Sequence, residues 1–97
     1  MQLFIELEVF DTIIKDDDIK RVRDVFGKQM QKMIDSGKMV ANGFFAGKRG
    51  GYIILNVDST EEAVKLLGIM IEYFNFKIYP VMPLDKVPEL FGKYLAL

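Results

Sequence analysis

The segment from Met39 to Thr60 most constrains the fold, because it contains two apolar runs joined by a glycine-rich connection. In MVANGFFAGKRGGYIILNVDST, the runs Met39–Ala46 and Tyr52–Asp58 flank the residues GKRGG. Glycines give such a connection the backbone freedom of a tight turn. The pattern therefore predicts an antiparallel hairpin. A phosphate-binding loop is disfavoured, since its lysine and serine or threonine open a helix, whereas GKRGG leads into a strand.

One strand and one helix are predicted before the hairpin. Leu3–Val9 alternates between an apolar face and a face that mixes aromatic residues with glutamates, which is typical of a strand covered on one side. A helical pattern follows the aspartates at 16–18 and runs to about Ser36, with Gly37 as its stop. The aspartates are interpreted as capping residues, since the glycine and distal glutamate of a calcium loop are missing.

A second helix and a fourth strand are predicted after the hairpin. The run STEE forms a capping box, and the apolar stripe that follows it extends to Phe74. Phe76–Met82 predicts a strand, and Pro80 places that strand at a sheet edge because proline has no N–H for the ladder. Asp85–Leu97 predicts a closing helix.

The element order predicts a single α+β domain over residues 1–97 with the ferredoxin-like split βαβ fold, β-α-β-β-α-β plus a C-terminal helix. The antiparallel sheet order is 4-1-3-2, with both helices on one face. The uncovered face is expected to carry Phe4, Glu6, Glu8, Asn42, Phe44, Tyr52, Ile54 and Asn56. So apolar a face, in a small chain that is 51% hydrophobic, predicts a homodimer in which two sheets pack across a two-fold axis.

Composition excludes several classes of function. Thirteen basic residues against 14 acidic ones leave no phosphate-binding stripe, so no nucleic-acid partner is expected. The chain has no cysteine and no histidine, which excludes disulfides, thiolate metal sites and the commonest general base. The N-terminus has no signal-peptide pattern and no membrane span. We therefore expect a soluble cytoplasmic protein without membrane association.

The motifs GKRGGYIILNVDSTEE and FKIYPVMPL, separated by an apolar helix, resemble those of the dimeric α+β barrel superfamily. Within that superfamily the chain is similar to the muconolactone isomerase-like proteins over residues 1 to 84. The resemblance implies a homodimer, with a larger ring as an alternative, and a ligand cleft at the sheet face. It implies proton transfer on a small unsaturated lactone without metal or cofactor. Related barrels that depend on histidine or tryptophan differ from this chain, which has neither.

The uncovered face supplies the candidate site. Glu6 and Glu8 are the candidate catalytic bases, because desolvation in an apolar pocket raises the pKa of a carboxylate into a range suited to proton transfer. The alternative is that these glutamates stay solvated at the rim or pair with Lys77 or Arg23. The candidate substrate-binding residues are Phe4, Asn42, Phe44, Tyr52 and Asn56.

Three functions stay open from the sequence. The first is binding of a small apolar or lactone-like ligand in a cleft between the two sheets. The second is a cofactor-independent isomerase with a glutamate of the first strand as base, and the third is a non-catalytic structural or assembly module. No metal and no cofactor are predicted for any of them.

Overall fold

The structure is a computed structural model that describes residues 1–86, 88 and 89. Within these residues the chain forms β1 Gln2–Val9, α1 Asp16–Asp35, β2 Met39–Phe44, β3 Gly50–Asn56, α2 Thr60–Leu67 and β4 Phe74–Val81. Short 3₁₀ turns follow α2 at Gly68–Glu72 and β4 at Leu84–Lys86. The predicted element order is confirmed through the fourth strand. The predicted closing helix over Asp85–Leu97 falls largely outside the described residues.

The four strands form one antiparallel sheet in the order β2-β3-β1-β4, which is the predicted order 4-1-3-2 in the opposite direction. In the register of the two central pairs, Ile5 of β1 lies opposite Ile53 of β3 and Ile78 of β4. Pro80 lies on β4, which within the described residues pairs only with β1, so the predicted edge position is confirmed. The fold is ferredoxin-like α+β, with β1 and β3 at the centre of the sheet.

Both helices pack on one face of the sheet, where they bury the apolar side of its central strands. The alternation of β1 is confirmed, since Leu3, Ile5 and Leu7 are buried and the residues between them are not. Each such side chain contributes roughly 1.5–3 kcal/mol when fully buried. The rest of this core comprises Val22, Met33, Ile53, Leu55, Val57, Ala63, Leu67, Met70 and Phe74.

Within the described residues, Gln29 is the polar side chain that is buried in this core. Its Nε2 donates a 2.6 Å hydrogen bond to the carbonyl oxygen of Leu66. A buried amide without a partner costs free energy, so this bond favours one register between α1 and α2.

The prediction for the N-terminal end of α1 is wrong, and the prediction for its C-terminal end is confirmed. The N-cap is Lys15, which makes no side-chain capping bond, and the three aspartates form the first turn instead. They complement the positive end of the helix as charges, so the prediction that one of them caps it is wrong. At the other end Gly37 has φ 73°, which confirms its predicted role as the helix stop.

The helix α2 is shorter than the sequence predicts. It ends at Leu67, because Gly68 has φ 53° and turns the chain out of the α conformation. Phe74, predicted on the stripe of this helix, lies instead at the start of β4 and is buried in the core. Helical spacing predicted the wrong element for Phe74, because a residue at the start of β4 contacts the same core as the helix does.

The N-terminus of α2 is held by the predicted capping box, with one change of partner. Ser59 Oγ accepts a 3.1 Å bond from the N–H of Glu62. The Glu62 carboxylate accepts from the N–H of Asp58 at 2.9 Å and pairs with Lys38 at 3.2 Å. The Asp58 N–H and the Lys38 ammonium, in that order, hold the pKa of Glu62 below its ordinary value.

We expect Glu62→Gln to lower the stability of the protein at neutral pH and to flatten its acid dependence. Because the pKa is depressed in the folded state, the carboxylate stabilises the fold above its unfolded-state pKa. This contribution is lost as the pH falls through the lower folded-state value. Urea unfolding at pH 7 and pH 3 measures the effect, and the difference between the two proteins should shrink in acid.

Glu61→Gln is the matched control, since it removes the same charge from the same helical turn. Glu61 is exposed and faces Lys65 at 3.7 Å. An exposed pair of this kind stabilises a helix only weakly. Equal pH dependence for both variants would contradict the capping role of Glu62.

Candidate functional site

The sheet separates the predicted site residues into two groups. Asn42 lies opposite Ile53 and Phe44 lies opposite Gly51, so both occupy the face that the helices cover. The ring of Phe44 lies 5.8 Å from that of Phe26 in α1. The prediction that Asn42 and Phe44 share the uncovered face was therefore wrong.

A β-bulge in β2 explains this error. The pairing shifts by one residue between Met39 and Ala41, so that Ala41 and Gly43 point to the uncovered side. A one-residue change of register moves every later side chain to the other face. The segment VANGF contains no clear apolar alternation that would have marked the shift.

The uncovered side of the sheet, hereafter the open face, carries an aromatic layer. Phe4 stacks on Tyr52 with ring centroids 5.5 Å apart and contacts Tyr79 at 6.3 Å. Phe45 extends the layer, 6.5 Å from Tyr52. The members of the open face are Phe4, Glu6, Glu8, Phe45, Tyr52, Ile54, Asn56, Lys77 and Tyr79.

Lys48, in the turn between β2 and β3, contacts both candidate bases, Glu6 and Glu8. Its Nζ lies 3.1 Å from Glu6 Oε1 and 3.6 Å from Glu8 Oε2. It also lies 5.1 Å from the centroid of the Phe45 ring. The hydrogen bond to Glu6, more than the added charge of Glu8, raises the pKa of Lys48. Both glutamates therefore lie beside one exposed ammonium group on the open face.

Both glutamates are partly exposed, and their partner differs from the predicted Lys77 or Arg23. Lys77 lies opposite Glu6 in the strand register, and Arg23 lies on α1 across the sheet. Among the described residues, neither forms a salt bridge with the two glutamates. The partner is Lys48, which is 42 positions from Glu6 in the chain. A catalytic role for Glu6 and Glu8 stays a prediction.

A groove of about 480 Å³ opens on the other side of the sheet, between α1, the β1–α1 loop and the strands β2 and β3. The rings of Phe26 and Phe74, whose centroids are 6.0 Å apart, line it. Asn42 and Phe44 line it from β2. Its other apolar walls include Leu7, Val9, Ile13, Ile19, Val22, Met30, Ile34 and Ile53.

Few polar groups line this groove. Among the described residues they are Arg23 on α1, Asn42 on β2, Tyr52 on β3, and Lys48 and Arg49 in the turn. Arg49 donates from Nη1 to the Ile13 carbonyl at 2.6 Å and from Nη2 to the Phe10 carbonyl at 3.0 Å, which ties the turn to the β1–α1 loop. In the part of the chain that the structure describes, no aspartate or glutamate lines the groove.

The sequence model of one protein family matches residues 2–95, and that family is described as "Domain of unknown function (DUF3303)". The chain belongs to this family. Among curated proteins, no sequence matches it. The small α+β protomer with its antiparallel sheet is consistent with a dimeric α+β barrel. Within the described residues, no helix is long and apolar enough to span a membrane.

This DUF3303 chain contains groove residues that sequence reasoning did not assign to a site. Lys48 and Arg49 were interpreted only as parts of a turn. The sequence did contain a signal for these residues, namely two adjacent cations flanked by glycines in the turn GKRGG. Lys48 pairs with Glu6 and Glu8, whereas Arg49 donates to the β1–α1 loop, and these different partners depend on the folded turn.

Proposed function

We propose that the protein binds a small, mainly apolar organic molecule in the groove between α1 and the sheet. The groove carries this proposal, since its volume of about 480 Å³ lies within the 300–1,000 Å³ typical of ligand sites. Its apolar walls with a few polar groups at their edge are also typical of such sites. This site lies within one protomer, whereas the sequence predicts a cleft between two sheets.

The placement of the carboxylates favours binding over proton transfer. Glu6 and Glu8 lie on the open face, across the sheet from the groove, where Lys48 contacts both. A general base must reach the proton that it abstracts, to within hydrogen-bond distance or through one water. Neither carboxylate lines the groove, and both are paired with Lys48, so they are poorly placed to act as a base there. The resemblance to muconolactone isomerase-like proteins supports a compact, lactone-like ligand without requiring isomerase activity.

We also propose that the open face forms the interface of a homodimer. Its aromatic layer is continuous from Phe45 through Tyr52 and Phe4 to Tyr79, and Tyr79 is 48% exposed. Contiguous apolar surface of this kind on a small protein is typical of an interaction site. A second copy offers the same surface, and two sheets pack face to face at about 10 Å.

Binding of the uncharged dye N-phenyl-1-naphthylamine tests the groove. The wild-type protein should enhance the fluorescence of the dye with a saturable curve. Asn42→Trp should weaken dye binding at least about tenfold, or about 1.4 kcal/mol, because the indole fills the groove from an exposed strand position.

Val40→Trp is the matched control for this experiment. Val40 lies on the same strand and is exposed, but it does not line the groove. Its replacement should leave dye binding unchanged. Equal loss in both variants, or a wild-type protein that does not bind the dye, would contradict the proposed function.

A further inference from the structure

Among the described residues, the charged side chains of the groove are all cationic, and two of the three already have partners. Lys48 contacts the carboxylates of Glu6 and Glu8, and Arg49 donates to two backbone carbonyls. Within the described residues, Arg23 has neither a salt bridge nor a side-chain hydrogen bond. Arg23 is therefore the groove cation that is available to a ligand.

The position of Arg23 suits a binding role at the rim. It follows the buried Val22 and precedes Phe26 by one helical turn, and both of these line the groove. The side chain of Arg23 is exposed. An arginine in this position packs its methylene stem along apolar surface and keeps its guanidinium in water. The apolar wall thus ends at a positive, hydrogen-bonding group.

The single guanidinium of Arg23 at this rim favours a carboxylate over a phosphate. A guanidinium donates two parallel N–H bonds to a carboxylate, which is a strong and directional arrangement. A phosphate dianion carries about two charges, and a single available arginine balances only one of them. No aspartate or glutamate among the described lining residues competes for the guanidinium.

We infer that the ligand of this groove is an amphipathic monocarboxylate, with its apolar body between α1 and the sheet and its carboxylate on Arg23. This inference rests on the proposed binding function and names the class of its ligand. The charge complementarity at the rim distinguishes such a ligand from a neutral molecule of the same shape.

Two probes of matched shape test the inference, 2-naphthoate and 2-naphthalenemethanol. Each is titrated as a competitor of N-phenyl-1-naphthylamine. The wild-type protein should bind the carboxylate about tenfold more tightly than the alcohol, or about 1.4 kcal/mol. Arg23→Gln should remove this preference, because it should lower the affinity for the carboxylate far more than the affinity for the alcohol. The preference should also decrease with added salt, because the rim is exposed.

Arg21→Gln is the matched control. Arg21 lies on the same helix, is exposed and is not part of the groove. The substitution removes the same charge from the molecule, so it should preserve the preference for the carboxylate. Equal effects of the two substitutions would assign the preference to the net charge of the protein and overturn the role of Arg23.

The outcomes separate this inference from the proposed function. If the dye and the alcohol bind but the carboxylate has no advantage, the groove binds neutral molecules and the inference is wrong. If inorganic phosphate displaces 2-naphthoate at equal concentration, the rim is a general anion site, which also overturns it. If no probe binds, the proposed function itself fails.

Discussion

Tyr79→Glu is expected to convert a homodimer into monomers at micromolar protein concentration. Tyr79 belongs to the aromatic layer of the open face, 6.3 Å from Phe4, and is 48% exposed in the protomer. In a dimer formed through this face, the new carboxylate would be buried without a partner. Such a buried charge costs about 3–5 kcal/mol, which corresponds to a weakening of the dimer by at least about a hundredfold.

Sedimentation velocity measures this effect directly. The wild-type protein should sediment at twice the mass of the 11.2 kDa chain, and the variant at the mass of one chain. Ile69→Glu is the control, since Ile69 is 53% exposed but lies in the 3₁₀ turn after α2. It introduces the same charge on a different surface and should leave the dimer intact.

Two results would contradict the proposed interface. If the wild-type protein is monomeric at micromolar concentration, the proposed homodimer is wrong. Dissociation by Ile69→Glu, with Tyr79→Glu still dimeric, would move the interface from the sheet to the surface beside α2. In that case the open face would need another occupant.

Gly51→Ala is expected to destabilise the fold strongly, although it adds only one methyl group. A Cβ at Gly51 would lie closer to the carbonyl oxygen of Gly43 than the 3.0 Å that real Cβ atoms respect. The obstacle is the backbone of the neighbouring strand β2, which cannot move without opening the ladder. Overpacking of this kind costs typically 1–3 kcal/mol, which lowers the melting temperature by roughly 10 °C in a domain of this size.

Gly47→Ala provides the comparison. Gly47 lies in the turn between the same two strands, and a Cβ there meets no atom within 4 Å. Its replacement should change stability by no more than about 0.5 kcal/mol, or stabilise slightly by restricting the unfolded chain. Thermal unfolding at one fixed protein concentration measures both variants, since dimerisation makes the melting temperature depend on concentration. Similar melting temperatures for the two would contradict the close approach at Gly51.

The turn between β2 and β3 connects the two proposed surfaces. Lys48 reaches over the open face to Glu6 and Glu8, whereas Arg49 reaches under the sheet to the β1–α1 loop beside the groove. The sequence identified this turn from its glycines but assigned no role to the two cations. Ion pairs between residues 42 positions apart are not encoded by local spacing.

The face of the sheet was predicted correctly for site residues on strands with clear apolar alternation, and wrongly for those on β2. Phe4, Tyr52 and Asn56 lie on the open face as predicted, because β1 and β3 alternate strictly between apolar and mixed positions. Asn42 and Phe44 lie on the other face, because the bulge in β2 shifts the register. The groove was missed for the same reason, since its wall on β2 consists of these misplaced residues.

The sequence by itself determined the element order, the edge position of β4 and the sheet order. These depend on local signals, namely period-two alternation, a proline without an N–H, and glycines at turns. Only the tertiary structure decided which face each side chain of β2 occupies, which cation meets Glu6, and where a cavity remains. These features depend on strand register and on how α1 packs over the sheet, which are set by contacts between residues distant in the chain.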